Sequence, residues 1–396
     1  MIHRRVPRQR SVLVCNKAPF RLLVLSLMAA LVLAACAAPA GPIQPESAES
    51  ESAAETGAED GADTAAADES ADPYTTIYGD QLPEDAAPYD EQIYRIPCDN
   101  TANHITFDFV VAVYQRFCGS DLFQDQLVVL DKDFNVIPAS AESWEVSEDG
   151  LTWTFQIKEG LQWSDGTPLT AHDWVATFQY AADPEHAWDF SWFYSGVLKN
   201  WDEIIAGELP VEELGVTAAD DLTLQITTEN PWPPLPGMMV FSFVLQEKAL
   251  EEHGPLYNND PATSVSVGPF ILESIEPGER IVMTANPMYK GYRQPRLKQV
   301  VVEYMNMATS FAAFQNGDID KVGYEWLSPA DFDLILSDPT LSENYLRHYG
   351  DFRTDYLLFD TFNEPFNDIN VRKAFAHAVD REAIVENSKP CQPTPC

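Results

Sequence analysis

The sequence predicts an α/β protein with an antiparallel-rich insertion in its first half. Three observations predict it. The stretch WEVSEDGLTWTFQI (Trp144 to Ile157) alternates apolar and polar residues on either side of Glu148-Asp149-Gly150, the period-two signature of a half-buried hairpin. The stretch LKQVVVEYM (Leu297 to Met305) is β-branched and almost continuously apolar, as in a strand covered on both faces. Beyond it, helical periods alternate with short strand-like runs, whereas hairpins dominate the earlier part.

The elements follow in order. YRIPC (Tyr94 to Cys98) reads as a short strand, and HITFDFVVAVYQRF (His104 to Phe117) leans helical. LVVLDKDFNVIPASAESWEVS alternates short strands with turns. In the hairpin that follows, Leu151, Trp153, Phe155 and Ile157 share one face, and Leu161 and Trp163 continue the alternation. GLQWSDGTPLTAHDW (Gly160 to Trp174) packs tryptophans beside acids, which raises a sugar-cleaving site as one reading. The other is scaffold, and it has a job for each acid. Asp165 sits in the SDGTP turn, and Thr170 with Asp173 forms a capping box that starts a helix ended at Asp183-Pro184. The scaffold reading is preferred, and no catalytic pair is assigned.

DLTLQITT (Asp221 to Thr228) is a strand, and PWPPLPG excludes regular structure because proline lacks a donor and fixes φ. QEKALEEHG is a short helix ended by Gly254, and SVGPFILESIEPGERIVMTANPMY is a strand–turn–strand. MATSFAAFQNGDID is a helix closed by Gly317 and followed by a strand. SPADFDLIL starts a helix with Ser328 as cap, Pro329 at the first position and Asp331 at the third. DYLLFD is a strand, and INVRKAFAHAVDREAIVE a helix with Val371, Phe375 and Ala378 on one face and Asp380 capping a second short turn.

The whole chain has 24 bases against 62 acids, a net charge of −38. That sign argues against nucleic acid, which needs basic patches, and against adhesion to anionic lipid through a charged face. Residues 1–36 reverse it, with six bases, no acids and the apolar run LLVLSLMAALVL, and read as a secretory signal peptide too short to span ~30 Å of hydrocarbon. LAAC (Leu33 to Cys36) resembles the lipobox of bacterial lipoproteins, which implies acylation of Cys36 and a lipid anchor in the membrane; ordinary signal cleavage is the alternative. Residues 37–73 contain an aromatic-free acidic run that cannot bury enough apolar surface to order itself, and read as a disordered tether. Cys98 and Cys118 remain in the body of an exported protein, as a bridge stabilising by about 3 kcal/mol or as two thiols. His104, His172, His186, His253, His348 and His377 are scattered without ligand spacing, so no metal or cofactor is expected.

Four segments, in order, resemble the extracellular solute-binding proteins of the oligopeptide/dipeptide type (family 5) that serve bacterial ABC importers. They are ESWEVSEDGLTWTFQIKEGLQWSDGTPLTAHDWVATF, VGPFILESIEPGERIVMTANPMYKG, ATSFAAFQNGDID and FNDINVRKAFAHAVDREAIVE, and the likeness runs from about Tyr89 to Glu386. The resemblance implies a two-lobed, periplasmic-binding-protein-like (type II) clamp that grips cargo without chemistry. It would be a first lobe with an inserted subdomain over residues 74–305 and a partial second lobe over 306–396. The family's chain continues past Glu386, where this one passes into NSKPCQPTPC, so an incomplete second lobe, exposed apolar surface and poor folding or binding are expected. Asp-Pro near the first strand is replaced by CDNTANHITFDF. The expected function is capture of peptides or oligosaccharides for an ABC permease in the membrane, with aromatic stacking and apolar burial in the cleft. Tyr324, Glu325 and Trp326, just after the DID strand (Asp318 to Asp320), are the first candidates for ligand contact because open α/β lobes expose strand ends; Asn103 and His104, after the first strand, are the second. Rival readings are a secreted carboxylate-dependent glycoside hydrolase and a surface lipoprotein that binds nothing. G-x-S-x-G, zinc and phosphate-loop motifs are missing from the sequence.

Overall fold

A computed structural model describes residues 72–323, 326–343 and 356–383. All fall within one of the chain's two units, Asp68–Cys396. Among the described residues the strands are β1 (Ile93–Asp99), β2 (Val128–Leu130), β3 (Val136–Pro138), β4 (Ala141–Val146), β5 (Thr152–Ile157), β6 (Val216–Asp220), β7 (Thr223–Thr227), β8 (Phe270–Glu276), β9 (Arg280–Ala285) and β10 (Gln299–Met305). One sheet runs β1-β10-β9-β8, with β1 parallel to β10 and the other pairs antiparallel. A second, wholly antiparallel sheet runs β4-β5-β7-β6, and β2 pairs with β3. The fold is therefore α/β with an antiparallel-rich insertion between β1 and β8.

Each sheet has its own core. Ile96, Cys98, Ile281, Met283, Val300 and Val302 bury one face of the mixed sheet together with Phe107 and Phe123. The insertion packs Phe155, Ile157, Leu224 and Ile226 against Trp174 and Phe178 of the helix Ala171–Ala182. The β4–β5 hairpin turns at Gly150, whose φ of +74° is the left-handed conformation that glycine enters without steric cost.

The stretch His104–Phe117 forms no helix. Ile105 N donates to Gln115 O, and Phe117 N donates to Thr106 O, so the segment doubles back on itself. The reason is visible in the packing: Phe107 is buried in the mixed-sheet core and Phe109 in the insertion's core. The chain turns between them, with Val111 N and Ala112 N both donating to Asp108 O, and this irregular path, which neither a helix nor a strand supplies, outweighs a weak helical propensity.

Three smaller expectations also change. A short helix, Leu235–Met238, begins inside the proline run, with Pro236 at its second position where no N–H is needed. Asp318–Asp320 is not a strand, although Asp320 N donates to Arg95 O at 2.9 Å. Tyr356–Asp360 is not a strand either: Leu357 and Leu358 are exposed, and the helix Ile369–Ala378 has no buried residue. Phe359, Phe366 and Phe375 pack on one another there, with centroids 5.0–5.8 Å apart.

Gly268, in the Gly-Pro-Phe entry to β8, is fixed by a close backbone approach. A Cβ there would lie 2.4 Å from Phe123 C and 2.6 Å from Gln124 N. Gly268→Ala is expected to lower unfolding free energy by about 3 kcal/mol, because backbone cannot step aside as a side chain can; urea unfolding of the variant measures it.

Candidate functional site

The tryptophan-and-acid stretch Gly160–Trp174 is structural. Trp163 and Trp174 are fully buried. Asp173 accepts from Thr170 N at 2.9 Å, Trp163 Nε1 at 3.3 Å and Glu247 N at 3.0 Å. Trp174 Nε1 donates to Ser242 O at 2.9 Å. Asp165 accepts from Thr167 N at 2.9 Å and from Gln246 Nε2 at 3.3 Å. Both carboxylates are thus occupied in a capping box and a turn, not arranged as an acid and a nucleophile around a shared opening.

A second set of polar groups lies buried where the two cores meet. Asp108 accepts from Asn258 Nδ2 at 3.0 Å and from Gln124 Nε2, and burial pushes its carboxyl up to about 7 against these hydrogen bonds. Asp125 accepts from Tyr289 Oη at 3.2 Å, and burial likewise raises it to about 7. These acids tie loops together.

The opening that could take a ligand lies at the end of the mixed sheet. Arg95, Arg280, Glu303, Tyr304, Met305, Gly317 and Asp318 line a recess of about 500 Å³. The β9–β10 register places Arg280 opposite Glu303, and two guanidinium nitrogens lie 3.0 Å from Glu303 Oε1. Arg95 Nη1 is 3.6 Å from Asp320 Oδ2, which also accepts from Arg95 N at 2.6 Å. The parallel β1–β10 register puts Cys98 beside Tyr304. The Tyr304 hydroxyl is buried without a hydrogen-bond partner among the described residues. Burial pushes that hydroxyl up to about 12, which keeps it a donor. Both charge signs thus line one opening, a lining suited to a ligand with an ionised or strongly polar end.

Of the residues singled out in the sequence, His104 comes nearest: its ring lies edge-on to Tyr304, centroids 5.8 Å apart. Asn103 is exposed in the same loop. Trp326 is half-buried and donates its backbone N–H to Gly323 O at 3.1 Å. Tyr324, Glu325 and the lipidation candidate Cys36 lie outside the described residues. Cys98 and Cys118, left open as bridge or thiols, are joined by a disulfide with Cα atoms 5.9 Å apart. Sequence reading passed over Arg95, Arg280, Glu303 and Tyr304. The signal that existed was an acid and a tyrosine closing the apolar run VVVEYM.

The sequence profile of bacterial extracellular solute-binding proteins, family 5 Middle, matches residues 135–390. The chain belongs to this family. Family 5 relatives include the periplasmic oligopeptide-binding protein OppA of Salmonella typhimurium, 34% identical over 273 residues, 68% of this chain and 49% of the relative. The probable deoxycholate-binding periplasmic protein YgiS of Escherichia coli is 34% identical over 272 residues, 67% of this chain and 49% of the relative. The chain therefore spans about half the length of the curated family 5 proteins it matches. Among solved structures, Burkholderia pseudomallei OppA superposes with a TM-score of 0.62 at 26% identity, covering 75% of this chain and 58% of the other. Haemophilus influenzae OppA, solved in complex with RPPGFSPFR, gives a TM-score of 0.58 at 26% identity, covering 75% and 58%. The fold is that of the two-lobed, type II periplasmic-binding-protein class to which these family 5 structures belong.

Proposed function

We propose that this chain captures peptides for an ABC importer, holding its cargo intact. The observation that carries this reading is family 5 membership across residues 135–390, together with peptide-binding relatives at 34% identity. The recess agrees with it chemically. Arg95 and Arg280 offer partners to a terminal carboxylate, and Glu303 and Asp318 offer partners to an amine. A ligand bridging two lobes would stabilise the closed state by its differential contacts. The basic, apolar start ending in Cys36 and the acidic run after it support an acylated lipoprotein held at a membrane by a tether, beside its permease. Among the described residues no helix is long and apolar enough to cross a membrane. The hydrolase reading loses its basis, because Asp165 and Asp173 are engaged in scaffold hydrogen bonds.

Thermal-shift titration with pools of short peptides, oligosaccharides and deoxycholate tests the proposal. Peptides are expected to stabilise the chain by about 2.7 kcal/mol at a hundred times Kd and to be recovered uncleaved by mass spectrometry. Glu303→Gln is expected to weaken peptide binding about tenfold, ~1.4 kcal/mol. Stabilisation by sugar or bile acid alone, or release of cleaved peptide, would overturn the reading.

A further inference from the structure

Apart from the recess, the fold brings three metal-ligating side chains together. The ligand atoms of Cys98, His104 and Cys118 all lie within 4.8 Å of one another. Cys98 is buried at the end of β1, and His104 and Cys118 are half-buried on the loop that doubles back beside it. The histidine is held in one orientation and one tautomer. Its Nδ1 lies 2.5 Å from Arg116 O, and a carbonyl only accepts, so Nδ1 carries the proton. In the neutral ring the bare nitrogen is then Nε2, which faces Cys98 Sγ at 3.4 Å. The rings of Phe117 and Tyr304, with centroids 6.3 and 5.8 Å from that of the imidazole, restrict its rotation. An imidazole that donates from one nitrogen to a backbone carbonyl and presents the other unprotonated is oriented as metal-binding histidines are. A disulfide that served only as a staple would need no such nitrogen aimed at its sulfur.

We propose that this cluster is a redox-gated zinc site: when the Cys98–Cys118 disulfide is reduced, the two sulfurs and His104 Nε2 bind one Zn²⁺. The proposal is independent of the peptide-binding reading. A dithiol reductant supplies two electrons and two protons, leaves as its own disulfide, and opens the bridge to two thiols. Zinc then displaces both thiol protons, forming two Zn–S bonds and one Zn–N bond. Two thiolates and a neutral imidazole balance the dication, so the complex adds no net charge to a half-buried place. Zn–S bonds of about 2.3 Å in a tetrahedron set the sulfurs about 3.8 Å apart, within reach of side chains whose Cα atoms are 5.9 Å apart. The fourth position is left to solvent.

The test uses the chain with Cys15, Cys36, Cys391 and Cys396 changed to serine, so that Cys98 and Cys118 are its only sulfhydryl source. It is reduced with a phosphine, which takes oxygen from water and does not compete as a thiol ligand. Co²⁺, a spectroscopic substitute for Zn²⁺, is then added. The expected result is a thiolate-to-cobalt charge-transfer band saturating at one equivalent, bleached by Zn²⁺, absent from the oxidised protein and from Cys118→Ser. His104→Ala is expected to weaken the metal at least about tenfold. Native tryptophan fluorescence is followed throughout. The proposal is overturned if the reduced protein gives no band, if His104→Ala binds as tightly, or if reduction by itself abolishes the native emission, because the site then does not outlast the bridge.

Discussion

Replacing Asp173 with alanine is expected to lower the unfolding free energy by about 4 kcal/mol. The carboxylate caps the helix Ala171–Ala182 through Thr170 N and also satisfies Trp163 Nε1 and Glu247 N, the first residue of the helix Glu247–His253, so it ties a turn and two helix starts to one point. Removing it loses a cap and leaves buried donors without acceptors, each at about 1–3 kcal/mol. Burial raises the Asp173 carboxyl despite these bonds, led by desolvation. Asp173→Asn keeps one acceptor oxygen and should fall between wild type and alanine. Urea unfolding followed by tryptophan emission gives the comparison. A loss below about 1 kcal/mol for the alanine variant would mean that the three donors find other partners.

Stability is expected to fall as pH rises from about 4 to about 7. Asp108 and Asp125 are raised by burial to about 7 in the folded chain, against about 3.9 when unfolded. Between those values the native state binds more protons than the unfolded state, so the slope of unfolding free energy with pH is negative. The contribution is complete below the unfolded value and is lost as pH passes through the folded one, at up to about 1.4 kcal/mol per pH unit for each carboxyl. Exposed acids held below their ordinary range by local hydrogen bonds, such as Asp131 by Asn135 and Asp149 by Ser147, act in the opposite sense at lower pH. The stability maximum therefore falls between the two windows. Asp108→Asn can still face Asn258 and Gln124 with an amide, and should remove about half of the alkaline decline. Chemical denaturation at a series of pH values measures it; an unchanged slope in the variant would mean that Asp108 is charged in the folded state.

Much of the fold was readable because its signals are local. The capping boxes at Thr170 and Ser328 both form as their sequences require, and the β4–β5 hairpin buries Phe155 and Ile157 of its period-two face, while Leu151 and Trp153 are half-buried and Val146 on β4 is exposed. Loop 104–117 was not readable, because its conformation is set by two cores that claim neighbouring phenylalanines. The recess was not readable either: Arg280 and Glu303 are 23 residues apart and meet only through the β9–β10 register. The same holds for Cys98, His104 and Cys118. A search for closely spaced ligands in sequence does not see groups united by a chain reversal.

Phe107 and Phe109 anchor one short ribbon in two hydrophobic interiors. The ribbon works as a rivet: neither packing body can loosen at that seam without drawing a ring out of the other. The insertion is for that reason not a detachable module, and its melting and that of the mixed sheet should register as a single event.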